Sequence, residues 1–298
     1  MSGPATHNQR RAGIVAGIGC YVLWGVFPLY WKLLASVNSL EIICQRIIWC
    51  CVFTVCLCVA MRYDFVGLLR QRRARRFLIP AAILITANWS VYIYAVQIDR
   101  VVETAIGYYL NPLVSIVLGI IVFKERLTLL QGVAVGLCAI GICAFSIGYG
   151  SFPWISVALA LSFGVYGAIK KKGGYPAVEA LAVENTIVVL PSILVAVILA
   201  SATGVHGFLG DVQTTEGWAT TGLLALGGVI TAVPLILFAR AANLIPLTLL
   251  GFIQFLSPTI ALMIGVFVNG EPFTLSHAAC LGCIWAGLAL VAIDPKRQ

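Results

Sequence analysis

The chain carries the segment LNPLVSIVLG at positions 110–119 and, 146 residues later, the segment LSPTIALMIG at positions 256–265. A proline and a glycine recur in them at one spacing, as Pro112 with Pro258 and Gly119 with Gly265. The same offset relates further residues outside the segments: Glu125 and Glu271, Thr128 and Thr274, Gly136 and Gly282, Gly141 and Gly287. Six non-aliphatic matches at one offset rarely arise by chance, so the sequence indicates an internal repeat.

The composition predicts that this repeat lies in a membrane. Apolar residues make up 61% of the 298 residues and charged residues 10%, whereas soluble domains have about half and a quarter. A membrane-spanning helix needs about 20 mostly apolar residues. The strands of a transmembrane barrel have about ten residues of alternating polarity, which these long apolar runs do not show. Ten spans are predicted: Ala12–Lys32, Leu40–Met61, Arg76–Gln97, Val101–Phe123, Leu129–Ile147, Ser151–Lys170, Val178–Ala200, Trp218–Arg240, Leu247–Val268 and Leu275–Ile293.

The basic residues predict the orientation of the spans. With the N-terminus inside, all but Lys32, Arg46 and Arg100 of the 19 lysines and arginines fall in cytoplasmic segments. Lysine and arginine concentrate on that side of membrane proteins. We therefore expect a multi-pass protein of the bacterial inner (plasma) membrane with both termini cytoplasmic. The net charge of +8 is then a signal of orientation, and no nucleic acid partner is expected.

The number of spans sets the geometry of the repeat. Each copy, residues 1–147 and residues 148–298, has five predicted spans, so the second copy enters the membrane upside down. A weaker match, WGVF at 24–27 against FGVY at 163–166, supports the pairing. The predicted fold class is an all-α integral membrane protein with ten transmembrane helices as two inverted five-helix repeats. Inverted repeats are typical of secondary transporters.

Several motifs carry a family resemblance over nearly the whole chain. They are CYVLWGVFP at 20–28, QRIIW at 45–49, GYYLNPLVSIVLG at 107–119, Glu125 with Arg126, and GFIQFLSP at 251–258. With these the chain resembles the EamA transporters of the drug/metabolite transporter superfamily, and among them the RarD-like proteins. The resemblance implies a ten-helix permease of the plasma membrane. RarD proteins are often labelled chloramphenicol-sensitivity proteins, which is the name of a phenotype and leaves the cargo open.

A binding pocket is predicted from the depth of polar residues in the spans. At about 1.5 Å per residue in a core about 30 Å thick, the tenth to twelfth residue of a span lies near the midplane. Unpaired polar groups are costly in hydrocarbon, so such residues should face the interior of the bundle. The hypothetical pocket is lined by Trp24, Asn88, Tyr108, Asn111 and Gln254. Pro112 and Pro258 each remove a helical hydrogen bond there. The alternative is that the amides join helices, the prolines bend them and the rings pack.

Two ionisable residues, Arg46 and Glu184, also fall inside spans, and both are candidate substrate-binding residues. Their backbones are predicted to lie roughly 12 Å apart along the membrane normal, which argues against a direct ion pair. We expect Arg46 near the outer gate, where it attracts anionic groups, and Glu184 near the inner gate. The alternative for Arg46 is a side chain that extends to the outer interface. Buried without a cation, Glu184 could carry protons.

Other motifs limit the function. No G-x4-G-K-[ST] loop for ATP, no catalytic constellation, no metal site and no cofactor are expected. The pairs Gly13 with Gly17 and Gly132 with Gly136 are predicted to allow close helix packing, either within the bundle, which we favour, or between protomers. The expected partners are a small-molecule substrate and the lipid bilayer, in a monomer or homodimer. The leading hypothesis is a secondary transporter that exports a small metabolite, amino acid or amphipathic drug by alternating access. The alternatives are an integral-membrane enzyme and a lipid or nucleotide-sugar translocator.

Overall fold

A computed structural model of the chain describes residues 7–98, 101–147, 153–203, 215–268, 270 and 275–294. These residues form helices and contain no strand. The helices are α1 (His7–Lys32), α2 (Ser39–Ala60), α3 (Phe65–Arg70), α4 (Arg72–Gln97), α5 (Val101–Phe123), α6 (Leu129–Ile147), α7 (Trp154–Gly173), α8 (Ala177–Thr203), α9 (Thr215–Leu244), α10 (Leu247–Gln254), α11 (Leu256–Phe267) and α12 (Leu275–Ala292).

The ends of the helices follow from capping residues. The side chain of Asn38 accepts a hydrogen bond from the backbone of Leu40 and starts α2, as Asn does at many N-caps. Gly174 ends α7 with a φ of 63°, a left-handed conformation that glycine adopts without strain. These turns allow the long apolar helices to fold back on one another as an antiparallel bundle.

One end of the bundle is rich in lysine and arginine, and we call it the basic end. It holds the residues that follow α2, begin α4, follow α5 and end α7: Arg62, Arg72, Arg73, Arg75, Arg76, Lys124, Arg126, Lys170, Lys171 and Lys172. Contacts between Phe77 and Tyr175 and between Asn243 and the carbonyl of Tyr175 hold this end together. The connection between α1 and α2 lies at the opposite end.

Within the described residues, six helical segments are long and apolar enough to cross a membrane: α1, α2, α5, α8, α9 and the pair α10–α11. Shorter apolar helices lie within α6 and α12. Large apolar side chains remain on the outside of the bundle, and Leu129 and Leu275 are each 85% exposed. A soluble monomer rarely exposes so much apolar surface, whereas lipid covers it at no cost. The chain is a multi-span membrane protein.

The helices of the two halves pack against each other in matching pairs. Helix α1 packs on α9 and α11, and α7 packs on α4 and α5. Helix α2 packs on α8, α5 on α10, and α6 on α12. Each contact therefore joins an element of the first half to an element of the second half.

Glycines permit the closest of these approaches. A Cβ added at Gly25 of α1 would lie 2.7 Å from the Cβ of Ile260, and one added at Gly164 of α7 would lie 2.5 Å from Val114. A Cβ at Gly141 of α6 would lie 3.2 Å from the carbonyl oxygen of Cys280, and one at Gly287 of α12 would lie 3.0 Å from that of Ala134. In both cases the two contacts join residues that are related by the sequence matches at offsets 139 and 146.

Glu125 ties the loop after α5 to the start of α10. Its carboxylate oxygens each accept a hydrogen bond of 2.8 Å, from the backbone N–H groups of Leu247 and Thr248. The first N–H groups of a helix have no partner inside the helix, and an anion is favoured at that end. Lys171 lies 3.8 Å from the same carboxylate and donates to the carbonyls of Ala242 and Ile245. The two halves are thus joined at the basic end.

The span predicted over Leu247–Val268 is present as one apolar segment, Leu247–Phe267, that is long enough to cross a membrane. Its helix is interrupted at Phe255, between α10 and α11. The reason lies in Pro258, which has no N–H for the carbonyl of Gln254 four residues earlier. Gly132 and Gly136 do not mediate close packing inside the bundle, since a Cβ at either position would meet nothing within 4 Å. Gly13 and Gly17 do pack inside it, against Ile245 and Leu250.

Candidate functional site

A cavity of about 510 Å³ lies in the middle of the bundle. Its lining extends toward the opposite end as far as Ala35, Val37 and Ser39 in the α1–α2 connection. Toward the basic end it stops at Tyr21 and Phe163. Six of the seven predicted binding residues line it: Trp24, Arg46, Asn88, Tyr108, Asn111 and Gln254. The structure therefore brings them together from five helices, and binding by them stays a prediction.

The amide of Asn88 has a structural partner. Its nitrogen donates to the carbonyl of Leu159 and to the hydroxyl of Ser162, both at 2.9 Å. These bonds fix α4 against α7 in the way that polar groups join helices in membranes. The amide nitrogen of Asn88 therefore joins two helices, as the alternative to substrate binding predicts.

The two repeat-related prolines lie where α5 and α10–α11 cross. The carbonyl oxygen of Pro112 would lie 2.8 Å from a Cβ at Gly251, and the hydroxyl of Tyr109 donates to the carbonyl of Pro258 at 3.5 Å. Each proline also deprives a carbonyl four residues earlier of its helical donor, and those carbonyls belong to Tyr108 and Gln254. Both of these residues line the cavity, so the prolines loosen the backbone at its wall.

Asn111 and Gln254 differ in how their amides are satisfied. The Oε1 atom of Gln254 accepts a hydrogen bond of 3.1 Å from Ser115. The Oδ1 atom of Asn111 is buried and has no hydrogen-bond partner among the described residues. A buried acceptor without a donor costs free energy, so this atom is a candidate contact for a bound molecule.

Arg46 lies in the cavity between two indole rings. The centre of its guanidinium is 4.7 Å from the Trp31 ring and 4.8 Å from the Trp89 ring, within the range of cation–π attraction. Its Nε donates to the hydroxyl of Thr231 at 3.1 Å. The side chain is therefore held inside the bundle, and the alternative in which it extends to the outer interface is wrong.

Four aromatic rings close the cavity toward the basic end. Tyr21, Phe163, Tyr166 and Phe238 form this aromatic cluster, and each is at most 8% exposed. The ring of Phe238 lies 5.2 Å from that of Phe163 and 5.8 Å from that of Tyr166. Trp24 contacts the cluster at 5.5 Å from Phe163. The rings thus pack against one another, and the cavity ends at this cluster.

Glu184 does not line the cavity, which corrects its assignment beside the other candidates. It lies on the far side of the aromatic cluster, where its carboxylate pairs with Lys170 at 2.6 Å and accepts from the Tyr166 hydroxyl at 3.3 Å. The carboxylate therefore does not fulfil the condition of the proton-carrying hypothesis, burial without a cation. Arg46 and Glu184 have separate partners, in agreement with the depth argument.

Some residues of the site were missed. Trp31, Trp89 and Tyr92 line the cavity, although only Trp24 and Asn88 were predicted on their helices. Positions 24, 28 and 31 recur at helical spacing, as do 88, 89 and 92, and this spacing on one face was a usable signal. Lys170 is the last residue of its predicted span and counts among the cytoplasmic lysines in the orientation argument, but it is 6% exposed inside α7.

The comparisons with known proteins agree with this architecture. The model of the EamA-like transporter family matches residues 11–147. The chain is 40% identical to the "Uncharacterized transporter YojE" of Bacillus subtilis, over 98% of this chain and 97% of that protein. It is 38% identical to the "Protein RarD" of Streptomyces exfoliatus, over 97% of this chain and 91% of that protein. A crystal structure that is 16% identical has the same fold, with a TM-score of 0.74 over 96% of this chain and 99% of the other.

These relatives are named transporters or RarD, are bacterial, and are covered almost from end to end. A multi-span helical bundle with a central cavity fits the same class. The chain belongs to the EamA-like transporter family, among its RarD-related members, and is a membrane transporter.

Proposed function

We propose that the chain is a secondary transporter that moves a small molecule across the inner membrane by alternating access. The observation that carries the proposal is the central cavity, which extends to one end of the bundle and is closed at the other by the aromatic cluster. A carrier needs a site that is accessible from one side at a time. The cavity volume of about 510 Å³ suits a small ligand.

We propose further that ten helices span the membrane as two inverted repeats, residues 1–147 and residues 148–298. The glycine contacts support this arrangement. Gly25 meets Ile260 and Gly164 meets Val114, and Ile260 and Val114 are related by the repeat offset of 146. Gly141 meets Cys280 and Gly287 meets Ala134, and these pairs are related by the same offset. When each residue is replaced by its counterpart in the other half, one contact of each pair becomes the other. This is expected for two halves that are related by a twofold axis.

The alternating mechanism follows from that exchange. Trp24 and Phe27 of α1 correspond to Phe163 and Tyr166 of α7 in the weaker sequence match. In this structure Phe163 and Tyr166 belong to the cluster that closes the basic end, while Phe27 lines the cavity. If the halves exchange conformations, Phe27 takes part in closing the opposite end and the basic end opens. Both states have similar contacts and hence similar free energies.

The excess of basic residues supports a cytoplasmic basic end, with both termini inside. The structure then corresponds to the outward-facing state. The proposed cargo class is a small metabolite, an amino acid or an amphipathic drug, because the wall combines aromatic rings with a few amides and one arginine. A lipid or nucleotide-sugar translocator would need a basic pocket for phosphate, and among the described lining residues Arg46 is the one cation.

Uptake into proteoliposomes tests the proposed function. The purified protein is screened with amino acids and amphenicols, with and without a pH gradient, and we expect accumulation of at least one compound above protein-free liposomes. We predict that Ala261→Trp abolishes this uptake, because Ala261 lines the cavity and an indole there occupies the space of the ligand.

The matched control is Ala87→Trp, since Ala87 lies on the exposed face of α4. The same added volume then meets lipid, and uptake should stay at the wild-type level. Both variants are first compared by size-exclusion chromatography to establish that they fold. Wild-type uptake by Ala261→Trp, or no uptake of any compound by the wild type, would contradict transport through this cavity.

A further inference from the structure

Arg46 brings an unbalanced positive charge into the cavity. Its guanidinium contacts the Trp31 and Trp89 rings and the hydroxyl of Thr231, all of which are neutral. No aspartate or glutamate is found among the described residues that line the cavity. A buried charge is costly unless an opposite charge compensates it. The compensating anion is therefore missing from the described part of the protein.

The geometry of the arginine defines where an anion can bind. The Trp31 and Trp89 rings lie 4.7 and 4.8 Å from the centre of the guanidinium, and the Nε–H is used by Thr231. Arginine has five N–H donors in one plane, so four of them remain at the outer edge of the guanidinium. Two parallel N–H groups at such an edge match the two oxygens of a carboxylate.

Asn111 supplies a second requirement. Its Oδ1 lacks a donor, although the residue is 5% exposed and lines the same cavity. The amide nitrogen of Asn88 and the Oε1 of Gln254 already have protein partners. The bound molecule should therefore carry a hydrogen-bond donor for Asn111 in addition to its anionic group.

We propose that the cavity binds an organic monoanion, with a carboxylate on Arg46, a neutral donor such as a hydroxyl on Asn111, and an apolar body against Trp24 and Phe163. The proposal rests on the proposed function, because it names the substrate class of the same site. A monoanion leaves the loaded cavity neutral, whereas a zwitterionic amino acid leaves the charge of Arg46 uncompensated overall. An aromatic hydroxy acid therefore binds more tightly than the amino acid of the same shape.

Four probes with one phenyl body test the proposal on the detergent-solubilised wild type: L-phenyllactate, 3-phenylpropanoate, L-phenylalanine and L-phenyllactamide. Binding is measured by quenching of tryptophan fluorescence, since Trp24, Trp31 and Trp89 line the cavity. We expect phenyllactate to bind about tenfold or more tightly than phenylalanine and phenyllactamide. Phenylpropanoate, which lacks the hydroxyl, should bind about fivefold more weakly than phenyllactate.

Two variants assign the contacts. Arg46→Gln should weaken phenyllactate about tenfold or more and leave phenyllactamide unchanged. The control Arg73→Gln removes an exposed arginine at the basic end and should bind all four probes like the wild type. In Asn111→Ala the difference between phenyllactate and phenylpropanoate should disappear. The comparison of the four probes on the wild type needs no variant, so it holds even if Arg46→Gln does not fold.

Three results would overturn the inference: equal or tighter binding of phenylalanine or phenyllactamide, binding of phenyllactate that is independent of Arg46, or no binding of either carboxylate. The uptake screen separates this failure from failure of the proposed function. If a neutral amphenicol or an amino acid is transported while the carboxylates do not bind, the proposed transport function is retained and the monoanion class is wrong. If nothing is transported and nothing binds, both are wrong.

Discussion

Replacing Lys170 by methionine should lower the free energy of unfolding by about 3–5 kcal/mol, because it leaves a buried carboxylate without its cation. Glu184 is 1% exposed and its Oε1 lies 2.6 Å from the ammonium of Lys170. The remaining contact, from the Tyr166 hydroxyl at 3.3 Å, is a single neutral donor. The measurement is denaturant unfolding in detergent, followed by tryptophan fluorescence.

The controls separate the ion pair from the loss of a lysine. Lys172→Met removes an exposed lysine two residues along the same helix and should change stability little, as surface substitutions do. The double variant Lys170→Met with Glu184→Gln removes both charges and should recover most of the loss, since neutral replacements of buried pairs are often tolerated. A double variant as unstable as Lys170→Met would show that packing, and not charge, accounts for the effect.

The same ion pair shows what the sequence could and could not predict. The predicted span ends at Lys170, the first of three consecutive lysines that are predicted to be cytoplasmic. The helix continues to Gly173 and ends at Gly174. Lys170 lies four residues before Gly174 and Glu184 eight residues after Pro176, so their backbones differ in depth by about 6 Å along two antiparallel helices. The long side chain of Lys170 spans this difference, and the pair could have been found by allowing for its length.

The helices were predictable because their signal is simple. In lipid every backbone group must be bonded inside the segment, so long apolar runs become helices wherever they occur. The span predicted over Val101–Phe123 has the bounds of α5, and that over Leu129–Ile147 has the bounds of α6. The break at Phe255 was not predicted. Pro258 signalled a disturbance, but Pro112 gives the same signal in α5, which continues without a break.

Six of the cavity residues were predictable from depth alone. The rise of a helix fixes how far each residue lies from the membrane surface, so polar residues near the tenth position of several spans meet at one level. The direction of their hydrogen bonds was not predictable, since it depends on how the helices rotate against one another. The sequence therefore could not show that Asn88 is bonded to α7 while Asn111 is left with a free oxygen.

The contact between α2 and α9 is the basis of the second large effect, at Gly228. A Cβ added there would lie 2.4 Å from both the carbonyl carbon and the Cβ of Trp49, and 2.6 Å from the backbone nitrogen of Cys50. Carbon atoms in contact are normally about 3.5–4.0 Å apart. Two of these three atoms belong to the backbone of α2, so no change of rotamer relieves the clash and the helices must separate.

Gly228→Ala should therefore lower the free energy of unfolding by about 3 kcal/mol, at the upper end of the usual cost of overpacking. The matched control is Gly222→Ala on the same helix, where an added Cβ meets nothing within 4 Å. There the loss of backbone freedom in the unfolded state should raise the stability by up to about 1 kcal/mol. Both are measured by denaturant unfolding in the same detergent.

The separation of α2 and α9 also has a consequence in the cavity. Arg46 lies three residues before Trp49 on α2, and its Nε is held at 3.1 Å by Thr231, three residues after Gly228 on α9. Moving the two backbones apart by even 1 Å takes this bond beyond hydrogen-bonding distance. Gly228→Ala should thus weaken binding at Arg46 even at temperatures where the variant is folded. A variant with wild-type stability and wild-type binding would show that the two helices do not approach as closely as the structure has them.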